Sequence, residues 1–177
     1  LAGRVLVNDK PADKPGTRVA EDAFIRVRGE ERRYASRGGE KLAGALADLG
    51  VVATGKRCLD VGASTGGFTD CLLQHGAAHV IALDVGYGQL ELRLRGDVRV
   101  SVVERVNARE MSTEHVPPEP AVELVVVDVS FISATLLLPR IAEVAPRADV
   151  LVMVKPQFEV GRERVGKGGV VRDDADR

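Results

Sequence analysis

One run constrains the fold of this chain more than any other: residues 58–69, which read Cys-Leu-Asp-Val-Gly-Ala-Ser-Thr-Gly-Gly-Phe-Thr. A short apolar strand ends near Asp60, the chain turns through glycines, and a helix follows with Leu72 and Leu73 on its buried side. Such a unit is typical of a parallel sheet that binds ligands at the carboxyl ends of its strands. The run therefore predicts an α/β domain with a nucleotide-like ligand at that edge.

The rest of the chain alternates between apolar strands and helices. We expect strands at 57–61, 79–84, 98–103, 123–128 and 149–154, and helices at 40–50, 67–75, 88–95 and 133–145. This alternation predicts an α/β fold, a Rossmann-like doubly wound parallel sheet. Sheets of this kind normally carry two further strands, one of them antiparallel, so we expect this sheet to be truncated at its C-terminal end.

The N-terminal residues differ from the rest. Residues 1–30 predict short strands at 4–7 and 23–28 and contain too few apolar side chains for a core of their own. We expect them to be the second half of a small α/β domain, followed by a linker at 31–38 and the main domain at 39–177. Residues 1–41 carry 10 Lys and Arg against 7 Asp and Glu, and the other residues have a net charge of −4. The basic excess is compatible with an RNA contact or with an ordinary solvated surface.

The glycine spacing separates the possible ligands. It is neither G-x-G-x-x-G nor a phosphate loop, so it favours a cofactor with an adenosine and no phosphate, of which S-adenosylmethionine (SAM) is the common example. Asp84 ends the next strand, 22 residues after Gly62, close to the spacing of about 20 expected for an acid that binds ribose hydroxyls. Asn107, after the third strand, is a candidate for the adenine edge. A sheet with tight turns and no cofactor is the alternative.

Asp60 is a candidate for the amino group of the methionine part of SAM, or simply a turn or capping acid. The candidate cofactor-binding residues lie in the glycine run and at the ends of the strands. They are Asp60, Gly62, Ala63, Ser64, Thr65, Gly66, Gly67, Phe68, Asp84, Asn107 and Asp128.

Two later strands end in charged residues, Asp128 and Lys155. A charge at the end of a buried strand must be paired or open to a cleft, so these two side chains are expected to pair on the cofactor side. A purely structural ion pair is the alternative. Lys41, at the start of the helix predicted at 40–50, could face the same cleft. Two lysines around one aspartate suit the removal of a proton from a sugar hydroxyl during methyl transfer.

Several classes of protein are disfavoured by composition. Cys58 and Cys71 are isolated thiols without metal-ligand spacing, and we expect both to be small buried side chains and no metal to be bound. The chain has no signal-peptide pattern and no apolar run long enough to span a membrane. These features favour a cytoplasmic protein with no membrane partner.

These runs together resemble the TlyA family, which belongs to the FtsJ-like ribose 2′-O-methyltransferases and some of whose members are called hemolysins. The matching runs are 36–42, 58–69, 82–90, 104–109, 127–133 and 154–161. The resemblance implies SAM-dependent 2′-O-methylation of ribose in ribosomal RNA, with cytidine as target and ribosomal subunits as partners. It also implies that residues 1–30 belong to a partial RNA-binding domain.

The resemblance further implies a Lys-Asp-Lys-Glu catalytic group. Lys41, Asp128 and Lys155 match its first three members, whereas the fourth belongs to a later strand and is not Glu159. An RNA-binding or ribosome-associated module with a vestigial methyltransferase fold is therefore the main alternative. An NAD-dependent oxidoreductase is disfavoured by the glycine spacing, and a cytolysin by the lack of a spanning segment.

Overall fold

The computed structural model describes residues 5–27, apart from residues 13 and 15, and residues 33–173; of residues 27 and 162 it describes the backbone only. Contacts divide the chain into two units, residues 1–32 and residues 33–177. The first unit contains β1 (Val5–Val7), β2 (Lys10–Pro11) and β3 (Ile25–Val27), which form an antiparallel sheet in the order β2-β1-β3. Strands were expected at 4–7 and 23–28; residues 4 and 28 lie outside the described residues.

The second unit is built around a five-stranded sheet. Its elements in chain order are α1 (Arg37–Leu49), β4 (Arg57–Val61), α2 (Gly67–Gln74), β5 (His79–Asp84), α3 (Leu92–Arg95), β6 (Val100–Glu104), β7 (Leu124–Val127), α4 (Leu138–Val144), β8 (Asp149–Val152) and α5 (Pro156–Glu159). The strand order is β6-β5-β4-β7-β8, and all neighbours are parallel. The predicted Rossmann-like parallel sheet is confirmed.

The central strand β4 shows how the two faces of the sheet are covered. Its side chains alternate, as in any strand. Cys58 belongs to a core cluster that includes residues of α1 and α2, whereas Leu59 and Val61 belong to a second cluster that includes Ile141 of α4. Since β5 and β7 lie on opposite sides of β4, the strand order reverses here. Ligands of such sheets bind above this point, at the carboxyl ends of the strands.

Both cysteines are free and buried, as the sequence predicts. Burial raises the pKa of the Cys58 thiol to about 12 and that of the Cys71 thiol to about 11. Both thiols therefore stay protonated near neutral pH, where a thiol is a poor nucleophile. They fill the core around α2 rather than forming a reactive site.

Two helices are shorter than the sequence predicts. A helix was expected at 88–95, but α3 covers Leu92–Arg95 because residues 85–91 form an irregular loop in which the Gly88 N–H donates to Glu104 Oε1 at 2.9 Å. The helix expected at 133–145 is split into a 3₁₀ turn, Ala134–Leu136, and α4. Pro139 lies in the first turn of α4, where its missing N–H leaves no helical bond unmade.

The expected linker at 31–38 also differs from the structure. Residues 33–36 belong to the second unit, and α1 begins at Arg37 rather than at residue 40. Ser36 is the N-cap of α1, and its hydroxyl accepts a hydrogen bond from the Gly38 N–H at 3.2 Å. Tyr34 is buried in the core beside α2. Residues 33–36, which were expected to be part of a linker, therefore fix the start of the helix that carries Lys41.

Candidate active site

The glycine run forms the turn between β4 and α2. Gly62 has a φ of 89°, and a Cβ at this position would lie 2.8 Å from the backbone oxygen of Asp128. The backbone N–H groups of Gly62 and Ala63 both donate to the Leu83 carbonyl, at 2.9 and 3.1 Å. Gly62 therefore allows the ends of three neighbouring strands to approach closely, which no residue with a side chain could do without strain.

The turn ends at Gly66 and Gly67, where α2 begins against α1. Gly66 is the N-cap with a φ of 95°, and Gly67 is the first helical residue. A Cβ on Gly67 would lie 3.1 Å from the Gly39 backbone nitrogen, and one on Gly39 would lie 2.8 Å from the Gly67 carbonyl oxygen. The first turns of α1 and α2 are thus packed directly together at the carboxyl edge of the sheet.

Asp60 lies beneath this turn and is fully buried. Its Oδ2 accepts a hydrogen bond from the Thr69 hydroxyl at 2.7 Å, whereas its Oδ1 is buried without a hydrogen-bond partner. Burial raises the pKa of Asp60 to about 7; the Thr69 hydrogen bonds oppose this shift, and the negative charges of Asp128 and Asp84 add to it. A buried acceptor with no donor is energetically unfavourable, so the site is suited to a cationic or N–H group of a ligand.

Asp84, at the end of β5, organises the neighbouring wall. Its Oδ2 accepts from the Ser64 N–H at 2.8 Å, and its Oδ1 accepts from the Gly86 N–H at 2.6 Å. Ser64 Oγ also lies 3.3 Å from Gln89 Oε1. Both carboxylate oxygens keep a further lone pair that can accept from a ligand hydroxyl.

These strand ends surround a cleft of about 450 Å³. Its lining includes five of the residues expected from the sequence: Gly62, Ser64, Asp84, Asn107 and Asp128. Asn107 precedes the 3₁₀ turn Ala108–Glu110, and its Oδ1 accepts from the Arg109 N–H at 3.1 Å. The structure therefore brings these five side chains or backbone positions together at one edge of the sheet.

The other expected residues lie around this cleft rather than in its lining. Ala63, Gly66, Gly67 and Phe68 are buried, and Thr65 is exposed. Lys41 is exposed at the start of the second turn of α1, two residues after Gly39, which packs against the start of α2.

Asp128 and Lys155 form the expected pair. Lys155 Nζ lies 2.6 Å from Asp128 Oδ1 and donates a hydrogen bond to Ser130 Oγ at 2.9 Å. Asp128 Oδ1 has no partner at hydrogen-bonding angles, so the 2.6 Å contact is an ion pair rather than a well-aligned hydrogen bond. About a fifth to a quarter of each side chain is exposed, and Asp128 and Ser130 both line the cleft. The pair is thus open to a substrate at the cleft.

Four residues of this region were not among the expected site residues: Gln89, Ser130, Phe131 and Glu159, the last of which the sequence had excluded as the fourth catalytic residue. Gln89, Ser130 and Phe131 line the cleft, whereas Glu159 accepts hydrogen bonds from the loop after β7. Phe131 has a φ of 67° and is largely exposed, although aromatic residues rarely adopt this conformation. An aromatic residue three positions after the strand-end aspartate, in a chain with only four phenylalanines, was the signal in the sequence that could have identified Phe131.

The chain matches the FtsJ-like methyltransferase family over residues 34–176, which include every strand of the parallel sheet. The chain belongs to the FtsJ-like methyltransferase family. It is 52% identical over 174 residues to the 16S/23S rRNA (cytidine-2′-O)-methyltransferase TlyA of Mycobacterium tuberculosis, covering 97% of this chain and 64% of that protein. The chain thus spans slightly less than two thirds of the length of that relative.

Solved structures agree with this FtsJ-like fold. A Streptococcus thermophilus protein that carries the name hemolysin is 42% identical, with a TM-score of 0.78 over 99% of this chain and 64% of that chain. An S-adenosylmethionine dependent methyltransferase from Mesorhizobium loti is 20% identical, with a TM-score of 0.51 over 65% of this chain and 53% of that chain, which shows a shared fold. Among the described residues of this FtsJ-like chain, no helix is long and apolar enough to cross a membrane.

Proposed function

We propose that this protein transfers a methyl group from SAM to a ribose 2′-hydroxyl of ribosomal RNA, with cytidine as the target nucleotide. The observation that carries the proposal is the Asp128–Lys155 ion pair at the cleft on the carboxyl edge of the sheet. The name of the mycobacterial relative supports the choice of substrate. On this proposal the protein acts in the cytoplasm on ribosomal subunits.

The residues around the cleft fit SAM. The buried Asp60 Oδ1, which lacks a donor, suits the ammonium group of the methionine part, since a buried charge needs an opposite charge beside it. Asp84 is suited to the ribose hydroxyls and Asn107 to the adenine edge, and both line the cleft. The glycine turn leaves room for close approach of backbone N–H groups. SAM supplies an electrophilic methyl group on a sulfonium, so the protein's own residues need only bind, orient and deprotonate.

Lys155 is the candidate for removing the proton of the 2′-hydroxyl. Its Nζ is held between Asp128 Oδ1 and Ser130 Oγ, which restricts a side chain that is otherwise flexible. When Lys155 has lost its own proton, its Nζ lone pair can accept the hydroxyl proton, and Asp128 stabilises the ammonium that results. Lys41 is proposed to orient the substrate from the second turn of α1. A glutamate of a later strand is proposed to complete the group, as the resemblance to the family implies.

The proposal is tested with the protein expressed at the full length its gene encodes. Radiolabelled SAM is incubated with isolated ribosomal subunits, and label on RNA is measured for the wild type, Lys155→Ala and a control, Lys56→Ala. Lys56 also forms an ion pair with an aspartate, Asp149, at 3.1 Å, but it precedes β4 at the opposite edge of the sheet. We expect Lys155→Ala to lose label and Lys56→Ala to keep it.

Three other results would overturn parts of this proposal. Equal label with Lys155→Ala would reject the role of Lys155, and label on protein instead of RNA would reject the substrate. SAM binding without any transfer by the wild type would favour the alternative, an RNA-binding module with a vestigial fold.

The proposed contact between Asp84 and the ribose of SAM has its own test. Calorimetric titration of SAM against Asp84→Ala should show weaker binding, and unchanged affinity would reject the ribose contact.

A further inference from the structure

The segment after β8 is attached to the loop after β7 at three successive places. Lys155 is paired with Asp128, as described above. The ring of Phe158 lies beside that of Phe131, with centroids 5.3 Å apart and planes tilted by 48°. The third attachment, through the carboxylate of Glu159, has no place in the proposed chemistry.

Both carboxylate oxygens of Glu159 are engaged by the loop after β7. The Ser133 hydroxyl donates to Oε2 at 2.5 Å, and the Ala134 N–H donates to Oε1 at 2.8 Å. Ser133 Oγ in turn accepts from the Thr135 N–H at 3.2 Å, which caps the 3₁₀ turn. Hydrogen bonds to a half-buried carboxylate are stronger than those between neutral groups. Glu159 therefore joins the end of α5 to the start of the 3₁₀ turn.

This junction supports the position of Lys155. On its N-terminal side, Lys155 follows β8, whose ladder to β7 ends with the Met153 N–H donating to the Val127 carbonyl at 2.9 Å. On its C-terminal side, Lys155 is the N-cap of α5, a single helical turn that ends at Glu159. A helix of one turn has little stability of its own. Glu159, together with the Phe158 ring, therefore holds this turn, and with it Lys155, against the loop that carries Asp128.

The loop itself needs such support. Phe131 has a positive φ, and a residue with a side chain is strained in this conformation unless its surroundings enforce it. Its neighbours in the chain are held on one side by β7 and on the other by the two hydrogen bonds to Glu159. Releasing the Glu159 end would let the loop relax and move Ser130, which accepts from Lys155 Nζ.

We propose that Glu159 is a positioning residue, which locks the Lys155 segment onto the Asp128–Ser133 loop and so sets the geometry of the Asp128–Lys155 pair. The inference rests on the proposed methyl transfer and assigns Glu159 no contact with substrate. Because both of its oxygens already accept from Ser133 and Ala134, it is distinct from a glutamate that exchanges a proton with substrate. In Glu159→Gln the amide oxygen can still accept one of the two hydrogen bonds.

The test compares Glu159→Ala, Glu159→Gln and a control, Glu114→Ala, which alters an exposed glutamate in the turn before β7. We expect Glu159→Ala to lower kcat for RNA methylation by about ten- to a hundred-fold, as expected for a small displacement of reacting groups. We expect Glu159→Gln to recover part of this loss and the control to match the wild type. The Kd for SAM should match the wild type in the control and should change much less than kcat in Glu159→Ala, since Glu159 itself does not line the cleft.

Hydrogen exchange of the 131–137 segment gives a readout that is independent of activity. The Ala134 amide should exchange faster in Glu159→Ala than in the wild type, and at an intermediate rate in Glu159→Gln. Wild-type kcat in Glu159→Ala would overturn the inference, and so would full inactivity of Glu159→Gln with unchanged exchange, which indicates an acid that exchanges protons. If the wild type binds SAM but transfers nothing, the proposed function fails, and the positioning role of Glu159 in methyl transfer fails with it, whatever the exchange data show.

Discussion

Asp60 is a fully buried carboxyl group whose two oxygens have different surroundings. One accepts from Thr69 and the other has no donor. Burial in the sheet raises the pKa of Asp60 from its ordinary value of 3.8 to about 7. The folded protein therefore keeps the Asp60 proton over a range of pH in which the unfolded chain has already released it. A ligand cation beside Oδ1 would stabilise the ionised carboxylate, so Asp60 would release its proton at a lower pH when the ligand is bound.

The sign of the resulting pH dependence is set by proton linkage. Between pH 3.8 and about 7 the folded state binds one more proton at Asp60 than the unfolded state, so the free energy of unfolding falls as pH rises through this window. Asp60→Asn keeps an oxygen for the Thr69 hydroxyl and cannot ionise. We expect the ligand-free variant to exceed the wild type in stability by a few kcal/mol above pH 7 and to lose this advantage below pH 4.

Urea unfolding of the wild type and Asp60→Asn across this pH range measures the difference. Parallel stability curves for the two proteins would contradict the raised pKa. The same variant should bind SAM more weakly, because it removes the negative charge proposed to hold the ammonium group. A stabilised protein with reduced cofactor affinity would show that Asp60 is kept for binding rather than for folding.

At the scale of elements, glycines in the turn and in a helix have opposite effects on stability. Gly62 has a positive φ, and a Cβ there would lie 2.8 Å from the Asp128 carbonyl oxygen. Gly44 lies inside α1, and a Cβ there would meet no atom within 4 Å. We expect Gly62→Ala to lower the free energy of unfolding by about 1–3 kcal/mol. We expect Gly44→Ala to raise it by about 0.5–1 kcal/mol, since alanine is the better helix former.

Chemical denaturation of the two alanine variants, with circular dichroism as the signal, checks this pair. A loss of stability in both would mean that glycine is needed inside α1 for a reason other than space. No loss in Gly62→Ala would mean that the turn can open without strain. Because β4, β5 and β7 meet at Gly62, its variant should also bind SAM more weakly than Gly44→Ala does.

Elements in the second unit were predicted most accurately where the sequence pattern reflects burial. The strands Arg57–Val61 and His79–Asp84 were predicted to the residue, because their apolar side chains are buried on both faces of the sheet. Helix starts were less accurate. The pattern placed α1 at residue 40, whereas the Ser36 cap starts it at Arg37. A cap depends on one side-chain hydrogen bond, which hydrophobic periodicity does not report.

At the scale of the molecule, the cleft and the N-terminal strands belong to different units. All residues that line the cleft lie between residues 62 and 137, within the second unit. We therefore expect a variant that lacks residues 1–32 to bind SAM with the affinity of the whole protein. We also expect its affinity for ribosomal RNA to fall, because residues 1–30 are proposed to belong to an RNA-binding domain, as the resemblance to the TlyA family implies.

Calorimetry with SAM and filter binding with ribosomal subunits, both at several salt concentrations, measure these two affinities. Unchanged RNA affinity at every salt concentration would contradict an RNA contact by the first unit. A large loss of SAM affinity would mean that the first unit supports the cleft. Thermal unfolding of the truncated variant provides the control for its folding.

The sequence by itself determined the parallel sheet, the order of its elements along the chain, and the charged residues Asp84, Asp128 and Lys155 at or shortly after the ends of its strands. It did so because buried strands appear in the sequence as runs of apolar residues, and the turns between elements appear as glycines. Only the tertiary structure decided that Asp60 Oδ1 lacks a donor, that Lys155 lies 2.6 Å from Asp128, and that Glu159 is joined to Ser133. These features depend on the distances between segments that are remote in sequence, and such distances are set by packing.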